Sequence, residues 1–388
     1  MCIVFFTSNE QYSLIVASNR DEFLARPTAP ATWHAWTRDG ATSRMTARED
    51  QRVLSGLDLS AGGTWFGISL APPRTAAQRA EDAAAHGAPD RIMHFATLTN
   101  FTETIDPNGP PKPSRGNLVR DFLDRAGDPT ALESYLEQLE ENKQQFAGFN
   151  LLLGEIGHDA TLARSGDKAT PAVRLGYTSN RENPRKRARV LQDFQHPFGS
   201  DSEPHPIKVR GLSNATLEVE EGETEWPKVK SGAAAIARVV EEAQTRATGA
   251  DRDVRADEAQ LMSGLYHALS TAHPSPIQHR EHLRETVLVR PLCLDPSRPL
   301  DALPPPLPSA VTLSEAPLSD PTQLPAEVAQ GKREGEDGVH WYGTRVQTLL
   351  LVERATGRVV FEERDAFVLD LDQRPKWSGE KRRFDFRM

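Results

Sequence analysis

The chain has 388 residues, 26% of them charged and 38% apolar, and a formal net charge of -9 at pH 7. Such a composition belongs to a globular protein able to bury a sizeable core, and its acid excess argues against nucleic acid as the main partner, because phosphate binding needs a basic face. Two cysteines make no disulfide framework, and no run reaches 18 apolar residues, so a reducing, cytoplasmic setting without an integral membrane segment is expected.

The first predicted element lies at the start of the chain. "IVFFT" and "YSLIVAS" are rich in β-branched and aromatic residues and flank "SNEQ", which reads as a β-hairpin with a four-residue loop. In that register Thr7 faces Tyr12, Val4 faces Ile15 and Cys2 lies near Ala17. The second strand is expected to end where Asn19, Arg20, Asp21 and Glu22 begin, delivering four polar side chains beside Cys2. "VLSGLDLSAGGTWFGISL" holds two strand-like pieces around Gly62 and Gly63, whose spacing is not that of a phosphate loop. Residues 71–91 are Ala-rich and polar and read as a surface helix or an insertion. "IMHFATLTNFT" returns to strand character.

Leu118, Val119, Phe122 and Leu123 recur at helical spacing, as do Leu132, Tyr135, Leu136 and Leu139. Asp128 and Pro129 suit the start of that second helix, and Thr130 with Glu133 suits a capping box. "GFNLLLGEIG" and "DATLARSG" read as strands, and "VRGLSNATLE" as a strand running into a turn. The basic run at residues 185–187 reads as a solvated helix start rather than a nucleic-acid or import signal. Two amphipathic helices follow, "WPKVKSGAAAIARVVEEAQTRA" and "RADEAQLMSGLYHALS". Residues 296–338 carry many prolines and no period, the pattern of a long loop. "HWYGTRVQTLLLV" and "GRVVFEER" close the series as a hairpin turning at residues 353–357. The order predicts an α+β fold, with sheets from both ends of the chain packed by central helices.

Cys2 directly follows Met1. Removal of Met1 before a small residue leaves a thiol and an α-amine on one residue, with ordinary pKa values of about 8.5 and about 7.7–8.0. The amine can then serve as the base for its own nucleophile. A nearby arginine lowers the thiol pKa, and a carboxylate can hold the ammonium group. By the hairpin register Arg20 and Asp21 fill those two roles. The plain alternatives are that Cys2 is inert packing and that Asn19 to Glu22 form a capped turn.

"MCIVFF", "ASNRDEFLARP", "LSGLDLSAGGTWFGIS", "LTNF", "GFNLLLGE", "GLSNATLE", "WPKV", "YGTRVQTLLLV" and "FEER", taken in order, resemble the NRDE family of the Transport and Golgi organisation 2 type. The resemblance runs from residue 1 to about 365 and implies an N-terminal-nucleophile-hydrolase-like αββα sandwich of two mainly antiparallel sheets between helix layers. It implies one domain over 1–388, with 71–91 and 296–338 as insertions. It also implies that Cys2 is the nucleophile, Arg20 and Asp21 tune and orient it, Asn100 and Asn214 donate to an oxyanion or substrate, and Arg345 completes the polar cluster. The expected ligand is a small acyl amide, ester or thioester. The alternative is a non-catalytic scaffold that binds or transfers haem or acyl lipid. No resident cofactor or metal is expected, and the oligomeric state is left open. The family is associated with Golgi organisation and protein secretion, which implies a cytoplasmic protein with Golgi or mitochondrial association.

Overall fold

The computed structural model describes residues 2–36, 52–71, 92–101, 110–128, 130–158, 171–182, 187–191, 207–218, 225–247, 253–273, 277, 280–294, 324, 328 and 330–388. Met1, the segment 72–91, the strand expected at 159–166, part of the basic run, and residues 295–323 lie outside the described residues.

The first hairpin forms, with a different register. Strand β1 (Ile3–Thr7) pairs with β2 (Tyr12–Phe23) so that Thr7 faces Ile15, Val4 faces Ser18 and Ile3 faces Asn19. The expected register is therefore off by three residues. Asn9 is the reason. Its side-chain oxygen accepts from the backbone N–H groups of Gln11 and Tyr12 at 3.0 and 2.7 Å, an Asx turn that widens the loop. One step beyond Ile3, Cys2 comes level with Arg20 rather than Ala17.

A second correction concerns residues 19–22. They form no turn after a strand; β2 continues through them to Phe23. Their partner is β12 (His340–Glu353), which pairs antiparallel with β2 from Phe23 opposite Tyr342 to Tyr12 opposite Glu353. Pairing with β12 satisfies the backbone groups of Arg20 to Phe23 along that edge, beyond the last β1 pair at Asn19, so polar side chains need not end the strand.

Both ends of the chain build one seven-stranded antiparallel sheet, in the order β10 (Arg210–Leu212), β1, β2, β12, β13 (Arg358–Asp365), β16 (Lys381–Arg387), with β11 (Leu292–Leu294) against the start of β12. The other seven-stranded sheet comes entirely from residues 28–190. It runs β3 (Thr28–His34), β4 (Val53–Asp58), β5 (Phe66–Leu70), β6 (Ile92–Asn100), β7 (Phe149–His158), β8 (Pro171–Ser179) and β9 (Arg189–Val190), each antiparallel to its neighbour. A small hairpin joins β14 (Phe367–Leu369) to β15 (Pro375–Trp377).

Strand alternation sets the layers. Even positions Val4, Phe6, Leu14, Val16 and Leu350 face Phe66, Ile68, Phe95, Leu152 and Leu175 of the second sheet. Odd positions Ile3, Phe5, Ile15, Leu349 and Leu351 face the helices α3 (Pro227–Ala247) and α4 (Val254–Leu269). On the far side, Ala96, Leu98, Leu151 and Leu153 pack on α1 (Gly116–Leu123) and α2 (Ala131–Asn142). The fold is α+β, with two large antiparallel sheets and four helices among the described residues, compatible with an αββα sandwich. Helix α3 lies close on β1. A Cβ at Gly232 would sit 2.2 Å from the Phe5 ring, so only glycine admits that approach. The expected capping box is absent. Thr130 makes no side-chain cap, and Asp128 instead accepts from both its N–H and its hydroxyl at 2.8 Å.

Candidate functional site around Cys2

Cys2 sits just ahead of β1, at the end of the inter-sheet layer. Its thiol points at the backbone oxygen of Asp21, 3.8 Å away, and its own carbonyl accepts from the Ser213 hydroxyl at 2.8 Å. Burial pushes the thiol above its ordinary pKa; the Asp21 charge adds to that, and the Arg20 charge pulls the other way without winning. The expected net lowering by Arg20 is thus reversed, because desolvation of a thiolate outweighs one offset cation. The resting thiol is protonated.

Alternation splits the Asn-Arg-Asp-Glu run between two faces. Arg20 turns toward the second sheet, with its guanidinium 4.0 Å above the Trp65 ring and 3.6 Å from Glu22. It is 6% exposed, and its buried Nη1 has no hydrogen-bond partner among the described residues. Asp21 turns toward the helices. Its carboxylate accepts from the Thr344 hydroxyl at 2.6 Å, and its backbone oxygen accepts from the Tyr342 hydroxyl at 3.3 Å. Asn19 is a strut. It donates to the carbonyls of Leu269 and Val287 at 2.8 and 2.9 Å and accepts from Gln347 at 3.0 Å, tying β2 to the end of α4. Glu22 pairs with Arg20 and with Arg26.

Arg345 is the extra residue of a bulge between Thr344 and Val346. Bulges re-aim side chains, and this one brings Arg345 near Arg20. Burial lowers its pKa to about 10, and the Arg20 charge adds to the effect. It donates to the Arg26 carbonyl, while its Nε is buried without a partner among the described residues.

The two asparagines differ. Asn214 is buried and adjacent to Ser213, whose hydroxyl lies 3.4 Å from its side-chain oxygen. Asn100 is the last residue of β6. Its neighbour Thr99 points inward and donates to the Ser213 carbonyl, whereas Asn100 falls at the positions shared by Ala96 and Leu98, on the helix side. The structure therefore brings together Cys2, Arg20 and Asp21, with Arg345 and Asn214 close by, and sets Asn100 at the margin.

Three contributors were not assigned from sequence. Lys228, in the first turn of α3, is 0% exposed. Burial lowers its pKa to about 8, against the opposing pull of the Asp21 and Cys2 charges. "WPKV" carried it, but a lysine near a helix start reads as solvated. Tyr342 is half-buried, and desolvation of its hydroxyl raises its pKa well above 10, with Asp21 and Cys2 adding. Asn150 donates to Thr99 at 3.2 Å and to the carbonyls of Ser213 and Ala215 at 3.1 and 3.0 Å, and accepts from Tyr177 at 2.8 Å. It pins the segment that carries Asn214. Among the described residues no cluster of three His, Cys, Asp or Glu is placed to hold a metal, and neither Cys2 nor Cys293 forms a disulfide.

The family model for Transport and Golgi organisation 2 matches residues 1–367. The chain belongs to that family. The matched span includes every residue of the Cys2 cluster described above. The chain is 33% identical over 176 residues to Transport and Golgi organization protein 2 of Drosophila melanogaster, a match covering 42% of this chain and 49% of that protein. It is 28% identical over 257 residues to the Mus musculus homolog, covering 63% of this chain and 66% of the relative, and 28% over 258 residues to the Homo sapiens homolog, with the same coverage. The match to the fly protein thus spans about half of that relative, and those to the mammalian members about two thirds. No helix among the described residues of this family member is long and apolar enough to cross a membrane.

Proposed function

We propose that this family member is an N-terminal-nucleophile-hydrolase-like αββα protein in which Cys2 attacks the carbonyl of a small amide, ester or thioester. The observation that carries the reading is a thiol set against the backbone of Asp21, with a buried arginine that has an unfilled donor and a fully buried lysine that feels the thiol's charge. Removal of Met1 frees the α-amine of Cys2. That amine takes the thiol proton, and Sγ bonds to the carbonyl carbon. The C–N, C–O or C–S bond then breaks, and the leaving group carries away the proton. Water, deprotonated by the same amine, releases the acid from acyl-Cys2. A protonated resting thiol fits this sequence, since the proton must be moved at the moment of attack. The Nη1 of Arg20 and the amide of Asn214 are the donors assigned to the oxyanion and the substrate, and Asn100, on the helix side of β6, is left out of that role.

We read residues 1–388 as one domain, with 71–91 and 296–338 as insertions. The family's name supports a role in transport and Golgi organisation, exercised in the cytoplasm. Intact-mass analysis tests the chemistry. Protein lacking Met1 is incubated with p-nitrophenyl acetate, and the expected result is a stoichiometric burst with one acetyl group on the Cys2 peptide, absent from Cys2→Ala. Retention of Met1, or no acylation of Cys2, would overturn the hydrolase reading and leave a binding scaffold for haem or acyl lipid.

A further inference from the structure

A cavity of about 400 Å³ lies between α4 and the strands β13, β15 and β16, lined by none of the residues of the Cys2 cluster. Its walls include the rings of Tyr266 and Trp377 and three cationic side chains, Arg364, Lys381 and Arg383, against one carboxylate, Glu362. Lys381 and Arg383 both lie within ion-pair distance of Glu362, at 3.1 and 3.8 Å, and Arg383 also pairs with Glu258 and Asp385. Glu258 and Asp385 in turn pair with Arg358. Three cations thus share three carboxylates, and one further positive charge is left over.

That charge belongs to Arg364, which has no ion-pair partner among the described residues. It is also held in place. Its Nε donates to Gln347 at 3.0 Å and its Nη2 to Ser270 at 3.1 Å, and Gln347 is fixed by Asn19. The guanidinium lies 3.9 Å from the Tyr266 ring centre and 5.4 Å from that of Trp377. Its Nη1 makes no hydrogen bond among the described residues. A partly buried, preorganised guanidinium without an ion-pair partner favours an anion, and a partly aromatic wall in a cavity of this size favours a flat apolar body. We propose that this cavity binds a planar aromatic molecule carrying one acidic group, an aromatic carboxylate in the first instance, with the acid on Arg364 and the ring against the apolar part of the cavity wall.

The probe is 1-naphthoate, titrated calorimetrically into the full chain, with 1-naphthamide as its uncharged counterpart and 1-naphthyl phosphate as a second acid. Saturable 1:1 binding of 1-naphthoate is expected, at least tenfold tighter than that of the amide, weakened by salt, and reduced tenfold or more in Arg364→Gln. Lys381, whose side chain is 49% exposed, provides a variant that does not disturb the fold; Lys381→Gln should weaken binding severalfold. Tighter binding of 1-naphthyl phosphate with the same Arg364 dependence would support the site and assign it to phosphate esters. No saturable binding of either acid, equal binding of the amide, or binding unchanged in both variants would overturn the proposal. If Arg364→Gln fails to fold, Lys381→Gln and the amide comparison decide it.

Discussion

Lys228 offers the sharpest test of the electrostatics around Cys2. The side chain is fully buried, and burial lowers its pKa from 10.5 to about 8, with Asp21 and Cys2 opposing. At roughly 1.4 kcal/mol per pKa unit, keeping this lysine charged costs the folded state about 3 kcal/mol. Proton counting gives the sign. Between pH 8 and 10.5 the unfolded chain holds a proton that the folded chain has lost, so this group makes stability rise with pH across that window. Below pH 8 the cost is carried in full. In Lys228→Met the titrating group is gone. The stability of wild type minus that of the variant should therefore climb by about 3 kcal/mol between neutral pH and pH 10.5. Urea denaturation of both proteins across that range reads the difference, in which titrating groups not coupled to Lys228 cancel. A flat difference would show that Lys228 is not enclosed as an amine beside Asp21 and Cys2, and the reading of the site as a buried charge cluster would go with it.

The strut residue gives a second expectation: Asn19→Ala leaves the buried carbonyls of Leu269 and Val287 without a donor and should cost about 3 kcal/mol in denaturant midpoint experiments. A loss below about 1 kcal/mol would mean that water or a neighbour replaces the amide. At Gly63 a Cβ would stand 2.4 Å from the Gly116 carbonyl carbon, so Gly63→Ala should destabilise by about 2 kcal/mol or more. Gly62→Ala, at a φ of 74° but in open space, should cost only about 1 kcal/mol; equal losses would refute the close-approach account. For the thiols, the raised pKa of Cys2 predicts that iodoacetamide at pH 8 alkylates exposed Cys293 first, and that Cys2 speeds up only as the pH passes the ordinary thiol range. Peptide mapping checks the order, and faster alkylation of Cys2 at pH 8 would contradict the burial seen here.

Much of the architecture was legible along the chain. Apolar period and β-branched content located β1, β2, β12, β13 and all four helices, because those signals are local and each element buries one continuous face. Strands β3, β8, β9, β11, β14 and β15 and the terminal β16 were not predicted. They are edge or near-edge pieces with mixed exposure, as in the alternating exposed and half-buried pattern of β16, and their apolar content alone is weak. The family resemblance rested on ordered motifs, and the match over residues 1–367 bears it out.

The site divides along the same line. By itself the sequence determined that a cysteine stands at position 2 and that an arginine and an aspartate follow a hairpin that returns to it; these are matters of residue type and short-range connectivity. Tertiary structure alone decided how they meet. One side chain, Asn9, opened the loop and brought Cys2 level with Arg20. A strand more than 300 residues away, β12, kept Asn19 to Glu22 extended, and strand alternation then sent Arg20 to one face and Asp21 to the other. Lys228 is spelled like a solvated lysine and is buried in the packed chain, in a helix that Gly232 lets lie against Phe5. Burial and long-range pairing are properties of the packed chain, and they decided that the resting Cys2 keeps its proton.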